Sequence, residues 1–294
     1  MTRRHDLTSA TVSLMELLRW NGGKPELRQP TLLVAFEGWN DAGDAASTAT
    51  SHICDRLHAS PFASIDPEIF YDFTSTRPHV KLTDVGREIA WPTNTFSAVE
   101  LPKSDSDLLV LTGTEPQLRW RTYTDLILQM VEEFDVQLVV SLGSLITDVV
   151  HSRPSTVYSA GYDPELIDKL NLEPSNYEGP SGIVGVLHDV LVRNSRSSVS
   201  LWSSIPSYVP HATSPKAALA LVDRVSQLLD LTIPNTALKL GATAYEQQID
   251  KLINEDAETK AYVSQMERAY DESMSPESGA ELIKDLEKYL RDNI

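Results

Sequence analysis

The chain has 294 residues, of which 41% are hydrophobic and 23% are charged, a composition typical of a compact globular protein. Its 25 Lys and Arg against 42 Asp and Glu give a formal net charge of -17, which argues against nucleic acid and anionic membrane surfaces as partners. The single cysteine, Cys54, excludes an intramolecular disulfide and a zinc site built from several thiolates. No apolar run approaches the roughly 20 residues that a membrane-spanning helix needs, and we therefore expect a cytoplasmic protein.

The first part of the chain predicts a peripheral segment followed by the start of an α/β core. Residues 9–20 have the pattern of a short amphipathic helix. Thr31 to Phe36 form a continuous apolar run, which is typical of a strand that is buried on both faces. A helix over 42–58 follows, and the apolar residues at 69–73 predict the second strand.

The middle of the chain repeats this alternation of strands and helices. The expected elements are a hairpin of 88–91 with 96–101, strands at 108–112, 137–142 and 199–205, and helices at 120–134, 183–193 and 215–229. Strands that alternate with helices indicate a three-layer α/β/α sandwich around a mostly parallel central sheet.

The tail of the chain changes character at Pro234. From Leu238 to Tyr270 the spacing of apolar residues alternates steps of four and three, interrupted only at Asp256 and Thr259. This heptad pattern predicts one long helix, and Ser275-Pro276 predicts the start of a second. The domains expected from these patterns are a peripheral segment over 1–29, an α/β core domain over 30–234 and a C-terminal helical hairpin over 235–294.

The apolar seam of this hairpin has two interpretations. It either packs on its own domain or contacts another subunit or a partner protein. In the second interpretation the interaction surface consists of Tyr245, Ile249, Leu252, Val263, Met266, Leu282 and Leu286.

The turn after the first strand has the order of a nucleotide-binding loop, a strand followed by glycines and a helix. It also carries the carboxylates of Glu37, Asp41 and Asp44, which would repel a phosphate unless a metal bridged them. Its spacing matches neither G-x-G-x-x-G nor G-x-x-x-x-G-K-[ST]. Asp41 fits a helix N-cap and Asp44 fits the acid of a capping box. The alternative is a polar or metal-assisted pocket at the carboxyl end of the first strand.

Other polar residues follow predicted strands or begin predicted helices, so they are candidates for the same edge of the sheet. Arg119 either clamps an anion or joins salt bridges at a helix start. Ser181 is favoured as a helix N-cap over a nucleophile, because it lies one residue short of G-x-S-x-G. The candidate pocket consists of Glu37, Asn40, Asp41, Asp44, Glu115, Arg119, Arg153, Ser181 and Gly182. No H-E-x-x-H or comparable spacing occurs, and we predict no metal site, no cofactor and no catalytic residue.

A series of motifs occurs in a fixed order along the chain. They are LVAFEGWNDAGD (33–44), TRP (76–78), WP (91–92), EPQLRW (115–120), LGSL (142–145), RP (153–154), YEGPSGIVGVL (177–187), SLW (200–202) and PSYV (206–209). Together they resemble the actinobacterial branch of the proteasome assembly chaperone 2 family over about residues 30–270. The resemblance implies an α/β/α fold similar to that of nucleoside phosphorylases. It also implies a role in proteasome assembly, because eukaryotic relatives help to assemble proteasome α-rings, and it supplies no catalytic residues.

We therefore expect a non-enzymatic protein-interaction or assembly-chaperone factor that self-associates as a trimer or another homo-oligomer. Its expected protein partner is a proteasome or a related ring assembly. The alternative is a ligand-binding protein or hydrolase with a nucleoside-phosphorylase-like pocket at the carboxyl edge of the sheet. The chain ends Arg291-Asp292-Asn293-Ile294, which departs from the hydrophobic-tyrosine-X ending of proteasome-binding relatives and argues against docking by that ending.

Overall fold

A computed structural model describes residues 14–84, 86–161, 166–168, 172–174 and 178–273. The strands are β1 (Leu18–Trp20), β2 (Thr31–Glu37), β3 (Ser60–Ile65), β4 (His79–Thr83), β5 (Gly86–Ala90), β6 (Asn94–Val99), β7 (Leu108–Thr114), β8 (Leu138–Thr147), β9 (Val157–Gly161), β10 (Glu173–Pro174) and β11 (Ser198–Pro206). The helices are α1 (Ala45–Arg56), α2 (Trp120–Glu133), α3 (Ile183–Arg193), α4 (Pro215–Leu228), α5 (Thr236–Asn254) and α6 (Ala257–Ser273). Within the described residues, no helix combines the length and apolarity needed to cross a membrane.

Nine strands form one large sheet in the order β1-β3-β6-β7-β2-β8-β11-β9-β10. Its centre is parallel, because β2 pairs in parallel with β7 and β8, and β8 pairs in parallel with β11. Antiparallel pairings extend the sheet on both sides, through β6, β3 and β1 on one side and through β9 on the other. The predicted α/β fold with helices on a mostly parallel central sheet is confirmed.

The alternation of side chains along β2 explains why helices cover both faces of the sheet. Leu32 and Val34 lie in a core cluster with residues of α2 and α3. Leu33 and Ala35, their neighbours in sequence, lie in a second cluster with residues of α1 and α4. Since successive residues of a strand point to opposite faces, a strand that is apolar at every position must be buried on both sides.

The helix predicted over 9–20 is wrong in its described part. Leu14–Leu17 form a 3-10 turn, and Leu18–Trp20 form the edge strand β1, which pairs antiparallel with β3. Leu18 is buried in the core on one side of this strand. Residues 9–13 lie outside the described residues.

The strand predicted at 69–73 is also wrong, because the second strand of the core is β3. Phe70 and Tyr71 are buried, but both backbone N–H groups donate to the carbonyl oxygen of Pro67 in a turn. The apolar run therefore marked core contact rather than strand pairing.

The predicted pairing of 88–91 with 96–101 is wrong as well. β5 pairs with β4 as a separate two-stranded sheet, with Val80 opposite Ile89. β6 instead lies between β3 and β7 in the main sheet.

The single long helix predicted in the tail is broken between α5 and α6. The Oδ2 atom of Asp256 accepts a 2.9 Å hydrogen bond from the backbone N–H of Thr259. The two residues that interrupt the heptad pattern thus form the start of the second helix, because an Asp side chain satisfies amides that a helix start leaves unpaired. The helix predicted from Ser275 lies outside the described residues.

Candidate functional site

The carboxylate of Glu115 joins three elements at the carboxyl edge of the sheet. Its Oε1 atom accepts hydrogen bonds from Asn40 Nδ2 at 3.0 Å and from the backbone N–H of Ile183 at 2.9 Å. Its Oε2 atom accepts a 3.4 Å bond from the backbone N–H of Trp39. Glu115 follows β7, Trp39 and Asn40 follow β2, and Ile183 is the first residue of α3. The carboxylate therefore caps α3 and holds the ends of β2 and β7 against it. We call the cluster of Asn40, Glu115 and Gly182, together with the hydrogen bonds to the Glu115 carboxylate, the Glu115 knot.

Gly182 fits into this knot because it has no side chain. A Cβ atom at this position would lie 2.5 Å from Asn40 Nδ2 and 2.9 Å from Glu115 Oε1. The space between the three residues is consequently filled by the protein itself, and a bound ligand atom has no room there.

The Ser181 side chain does not cap α3, so this part of the sequence prediction is wrong. Its Oγ atom donates to the carbonyl oxygen of Gly182 at 3.2 Å, and the residue is exposed. The helix N-cap is Gly182, and the amide of Ile183 obtains its acceptor from Glu115 instead.

The side chain of Asp41 accepts from amides at the start of the following helix, as predicted, but the N-cap residue of α1 is Asp44 rather than Asp41. Its Oδ1 atom accepts from the backbone N–H groups of Ala46 at 2.7 Å and of Ser47 at 3.3 Å, in the first turn of α1. Burial raises the pKa of the Asp41 carboxyl above its usual value, although the bonds from Ser47 and Ala46 lower it. The backbone N–H of Ser144 also donates to the carbonyl oxygen of Asn40, which ties this turn to β8.

Asp44 does not act as the capping-box acid. It adopts a left-handed backbone conformation with φ 50°, and its Oδ2 atom accepts a 2.8 Å bond from Thr213 Oγ1. Asp44 therefore holds the segment before α4 rather than the amides of α1.

The two predicted arginines do not join the Glu115 knot. Arg119 is exposed at the start of α2, with φ 52°, and makes no ion pair with any residue in the described part of the chain. Arg153 donates from Nη2 and Nε to the two carboxylate oxygens of Asp271 at 2.6 and 2.8 Å. It thereby fastens the loop after β8 to α6. Glu37 is exposed and accepts a 3.3 Å bond from Thr114 Oγ1.

Most of the predicted seam in the tail packs on its own domain. Tyr245, Ile249 and Val263 are buried in a cluster with Val150, and Met266 packs against that cluster. Leu252 is 57% exposed and remains a candidate contact, whereas Leu282 and Leu286 lie outside the described residues.

Two exposed apolar side chains lie on the loops that carry the knot, and sequence reasoning missed them as a surface. Trp39 is 64% exposed and its backbone N–H binds Glu115, and Leu118, three residues after Glu115 in the chain, is 44% exposed. Trp91 is half-exposed and packs edge-on against Phe73, with ring centroids 4.8 Å apart. We call Trp39 and Leu118 the rim surface. The available signal was a tryptophan in the loop after the first strand, since tryptophan is enriched among the residues that carry binding energy in protein interfaces.

The chain is similar to known proteins over most of its length. The sequence profile of the PAC2 family matches residues 35–253. A PAC2 family protein from Streptomyces avermitilis is 41% identical, with a TM-score of 0.75, covering 80% of this chain and 99% of that protein. A proteasome-assembly chaperone homologue from Mycobacterium tuberculosis is 39% identical, with a TM-score of 0.72, covering 79% of this chain and 99% of the other. An archaeal proteasome activator from Pyrococcus furiosus is 20% identical, with a TM-score of 0.66 and coverages of 80% and 97%, and shares the fold. A search of curated proteins gives no match.

Proposed function

This chain belongs to the PAC2 family, and we propose that it is a non-enzymatic factor that binds proteasome subunits during their assembly in the cytoplasm. The relative from Mycobacterium tuberculosis, which is described as a proteasome-assembly chaperone homologue, supports this proposal because it is 39% identical. The observation that carries the proposal in this chain is the carboxyl edge of the sheet. There the position of a ligand pocket is filled by the Glu115 knot, and the rim surface faces solvent.

The filled knot argues against the alternative of a phosphorylase-like pocket. Open α/β sheets bind small ligands beyond the carboxyl ends of their strands, in a concave site with converging polar groups. In this chain the polar groups at the ends of β2 and β7 bind one another, and Gly182 leaves no gap between them. A carboxylate that already accepts three protein N–H groups is a structural acceptor rather than a free general base.

The rim surface has the character of a protein-binding site. Tryptophan is enriched among the residues that carry most of the binding energy in protein interfaces. Trp39 and Leu118 sit on loops held by hydrogen bonds: Trp39 through its N–H to Glu115, and Leu118 through its N–H to the carbonyl oxygen of Phe70. A surface that is held in place before binding loses less conformational entropy when a partner docks.

The experiment measures binding of the full chain to purified proteasome α-subunits from the same organism. We expect a stable complex with the natural chain, and at least tenfold weaker binding after the double change Trp39→Ser and Leu118→Ser. A matched control, Leu240→Ser with Val192→Ser, removes two exposed apolar side chains on α5 and α3 and should leave the affinity unchanged. Absence of binding by the natural chain at every concentration would overturn the proposal.

A further inference from the structure

A groove of about 400 Å³ lies between the start of β9 and helix α4. Sites for small ligands have volumes of roughly 300–1,000 Å³, so this groove is large enough for a short peptide or a compact organic molecule. The residues that line it are Pro154, Ser155, Val157, Lys216, Leu219, Ala220, Asp223, Arg224 and Gln227. We call this site the β9–α4 groove.

The strand and the helix run in the same direction along the groove. The lining residues of α4, from Lys216 to Gln227, recur at helical spacing and so lie along one side of the helix over roughly 16 Å. At one end, Ser155 and Lys216 together also line a small neighbouring cavity. Toward the other end, Arg224 Nε donates a 3.0 Å hydrogen bond to Ser159 Oγ. The groove therefore has a lysine near one end and an arginine near the other.

The two cationic side chains of the groove differ in their partners. Lys216 Nζ donates to the carboxylate of Glu246 and to the carbonyl oxygen of His151. Arg224 forms no ion pair with any carboxylate in the described part of the chain, and its bond to Ser159 uses Nε. The two terminal nitrogens of a guanidinium can bind a carboxylate in a two-point contact. The anion site of the groove is therefore at Arg224.

The centre of the groove is apolar, with Val157, Leu219 and Ala220 in its lining. Val157 and Leu219 pack against the core but are only partly buried, so each presents apolar surface to the groove. Inorganic phosphate or another small polar anion would leave this surface in contact with water. A ligand that covers it combines one anionic end with an apolar body, because burial of apolar surface favours binding.

Asp223 adds a hydrogen-bond acceptor next to Arg224 in the chain. Its Oδ1 atom accepts from Asn235 Nδ2 at 2.7 Å, and its Oδ2 atom accepts no hydrogen bond from the described residues. An ionised carboxylate only accepts hydrogen bonds, so this oxygen attracts an N–H group and repels a ligand with several negative charges. A peptide has backbone N–H groups close to its terminal carboxylate, whereas a fatty acid has none. The lining therefore favours a peptide.

We propose that the β9–α4 groove binds the C-terminal end of a peptide whose last residues are apolar. The terminal carboxylate pairs with Arg224, the apolar side chains lie over Val157 and Leu219, and a backbone N–H donates to Asp223. Capture of a terminal carboxylate is a recurring mode of peptide recognition. The groove shares no residue with the rim surface, so the failure of this proposal would leave the proposed function standing.

The test is isothermal titration calorimetry of the full natural chain with three probes. We expect N-acetyl-leucyl-leucine to bind. Its C-terminal amide should bind about tenfold more weakly, because the amide offers no charge to Arg224. Octanoate, an apolar carboxylate without N–H groups, should bind severalfold more weakly than the peptide. Equal binding of the acid and the amide would overturn the proposal, as would the absence of binding by N-acetyl-leucyl-leucine at millimolar concentration. Octanoate that binds as tightly as the peptide would also overturn it, because the ligand would then be a free apolar acid.

A substitution at Arg224 locates the site on the chain. Arg224→Gln should weaken binding of N-acetyl-leucyl-leucine about tenfold and leave binding of its amide unchanged. Arg193→Gln, at an exposed arginine of α3, is the matched control and should change neither. Thermal unfolding checks that both variants fold. Unchanged binding of the acid by folded Arg224→Gln would contradict the assignment of the carboxylate to this groove.

Discussion

The backbone N–H of Ile183 donates a 2.9 Å hydrogen bond to the Oε1 atom of Glu115, a residue 68 positions earlier in the chain. Through this bond a side chain after β7 caps helix α3. The same oxygen accepts from Asn40, so one carboxylate fixes the relative positions of two strand ends and a helix start. The rim surface rests on this arrangement, because Trp39 is held by the other oxygen of the carboxylate.

Replacement of Glu115 by alanine is expected to lower the free energy of unfolding by about 2 kcal/mol, because the amides of Asn40 and Ile183 lose their acceptor. Glu115→Gln keeps one carbonyl oxygen and should cost less than half as much. Urea denaturation at pH 7 measures both. The control is Glu37→Ala, at an exposed position with one long hydrogen bond, which should change stability by less than about 0.5 kcal/mol. Equal effects at the two glutamates would show that the knot has no structural role.

Gly182→Ala is expected to destabilise the fold by about 1–3 kcal/mol, because the new methyl group would overlap Asn40 and Glu115. The backbone at Gly182 has φ -88°, which any residue adopts, so the cost is steric. Gly23→Ala serves as the control, since a Cβ atom there has no neighbour within 4 Å. Thermal unfolding compares the two variants. A stable Gly182→Ala protein would mean that space exists in the knot and would revive the ligand pocket.

Stability should depend on pH through His188, which is fully buried in the core. Its Nε2 lies 2.7 Å from Ser141 Oγ and its Nδ1 lies 2.9 Å from Ser198 Oγ. Burial lowers the pKa of His188 from 6.5 to about 3, because the charged form is desolvated. The unfolded chain therefore binds a proton that the folded chain excludes. The stabilisation that the folded chain gains from a neutral His188 is complete above about pH 6.5. It is lost as the pH falls from there toward 3.

The measurement is urea denaturation of the natural chain and of His188→Gln between pH 7.5 and pH 5. The natural chain should lose on the order of 1–2 kcal/mol more than the variant over this range. The slope of the free energy of unfolding against pH is compared between the natural chain and His188→Gln. The other histidines titrate equally in both proteins, and a loss of stability that does not depend on pH does not change the slope. Parallel slopes would contradict a neutral, buried His188.

Arg153→Ala should loosen α6 without unfolding the domain, because Arg153 holds Asp271 by two hydrogen bonds at the surface. Exposed pairs of this kind contribute little stability, so hydrogen exchange in α6 should become only severalfold faster. Arg193→Ala, which breaks an exposed pair with Asp189 within α3, is the matched control. Unchanged exchange over 257–273 in Arg153→Ala would show that the apolar cluster around Val263 alone holds the helix.

The central strands were predictable because burial on both faces leaves a continuous apolar run, as in β2, β7 and β8. The strand at Ser60–Ile65 was missed because it begins with Ser-Pro and mixes small with apolar residues. The hairpin of β4 and β5 was missed because strand pairing depends on which segments meet, and β5 has an adjacent partner in β4. The break at Asp256 was visible as an interruption of the heptads, and its capping bond to Thr259 gives that interruption a cause.

The candidate site was predictable only in part. Asn40, Glu115 and Gly182 follow strands or begin a helix, and the edge of a parallel sheet brings such positions together. The contacts among these three residues depend on the distances between the strands and the helix, and local sequence does not encode those distances. Arg153 has the same local signature, but the acidic face of α6 binds it instead.

The assembly role is tested most directly by the rate at which purified proteasome α- and β-subunits form complete particles, measured by native mass spectrometry with and without this chain. We expect the natural chain to increase the rate or the yield. The Trp39→Ser, Leu118→Ser variant should lose this effect, while the Leu240→Ser, Val192→Ser control should retain it. An unchanged rate and yield with the folded natural chain in stoichiometric amount would contradict the assembly role.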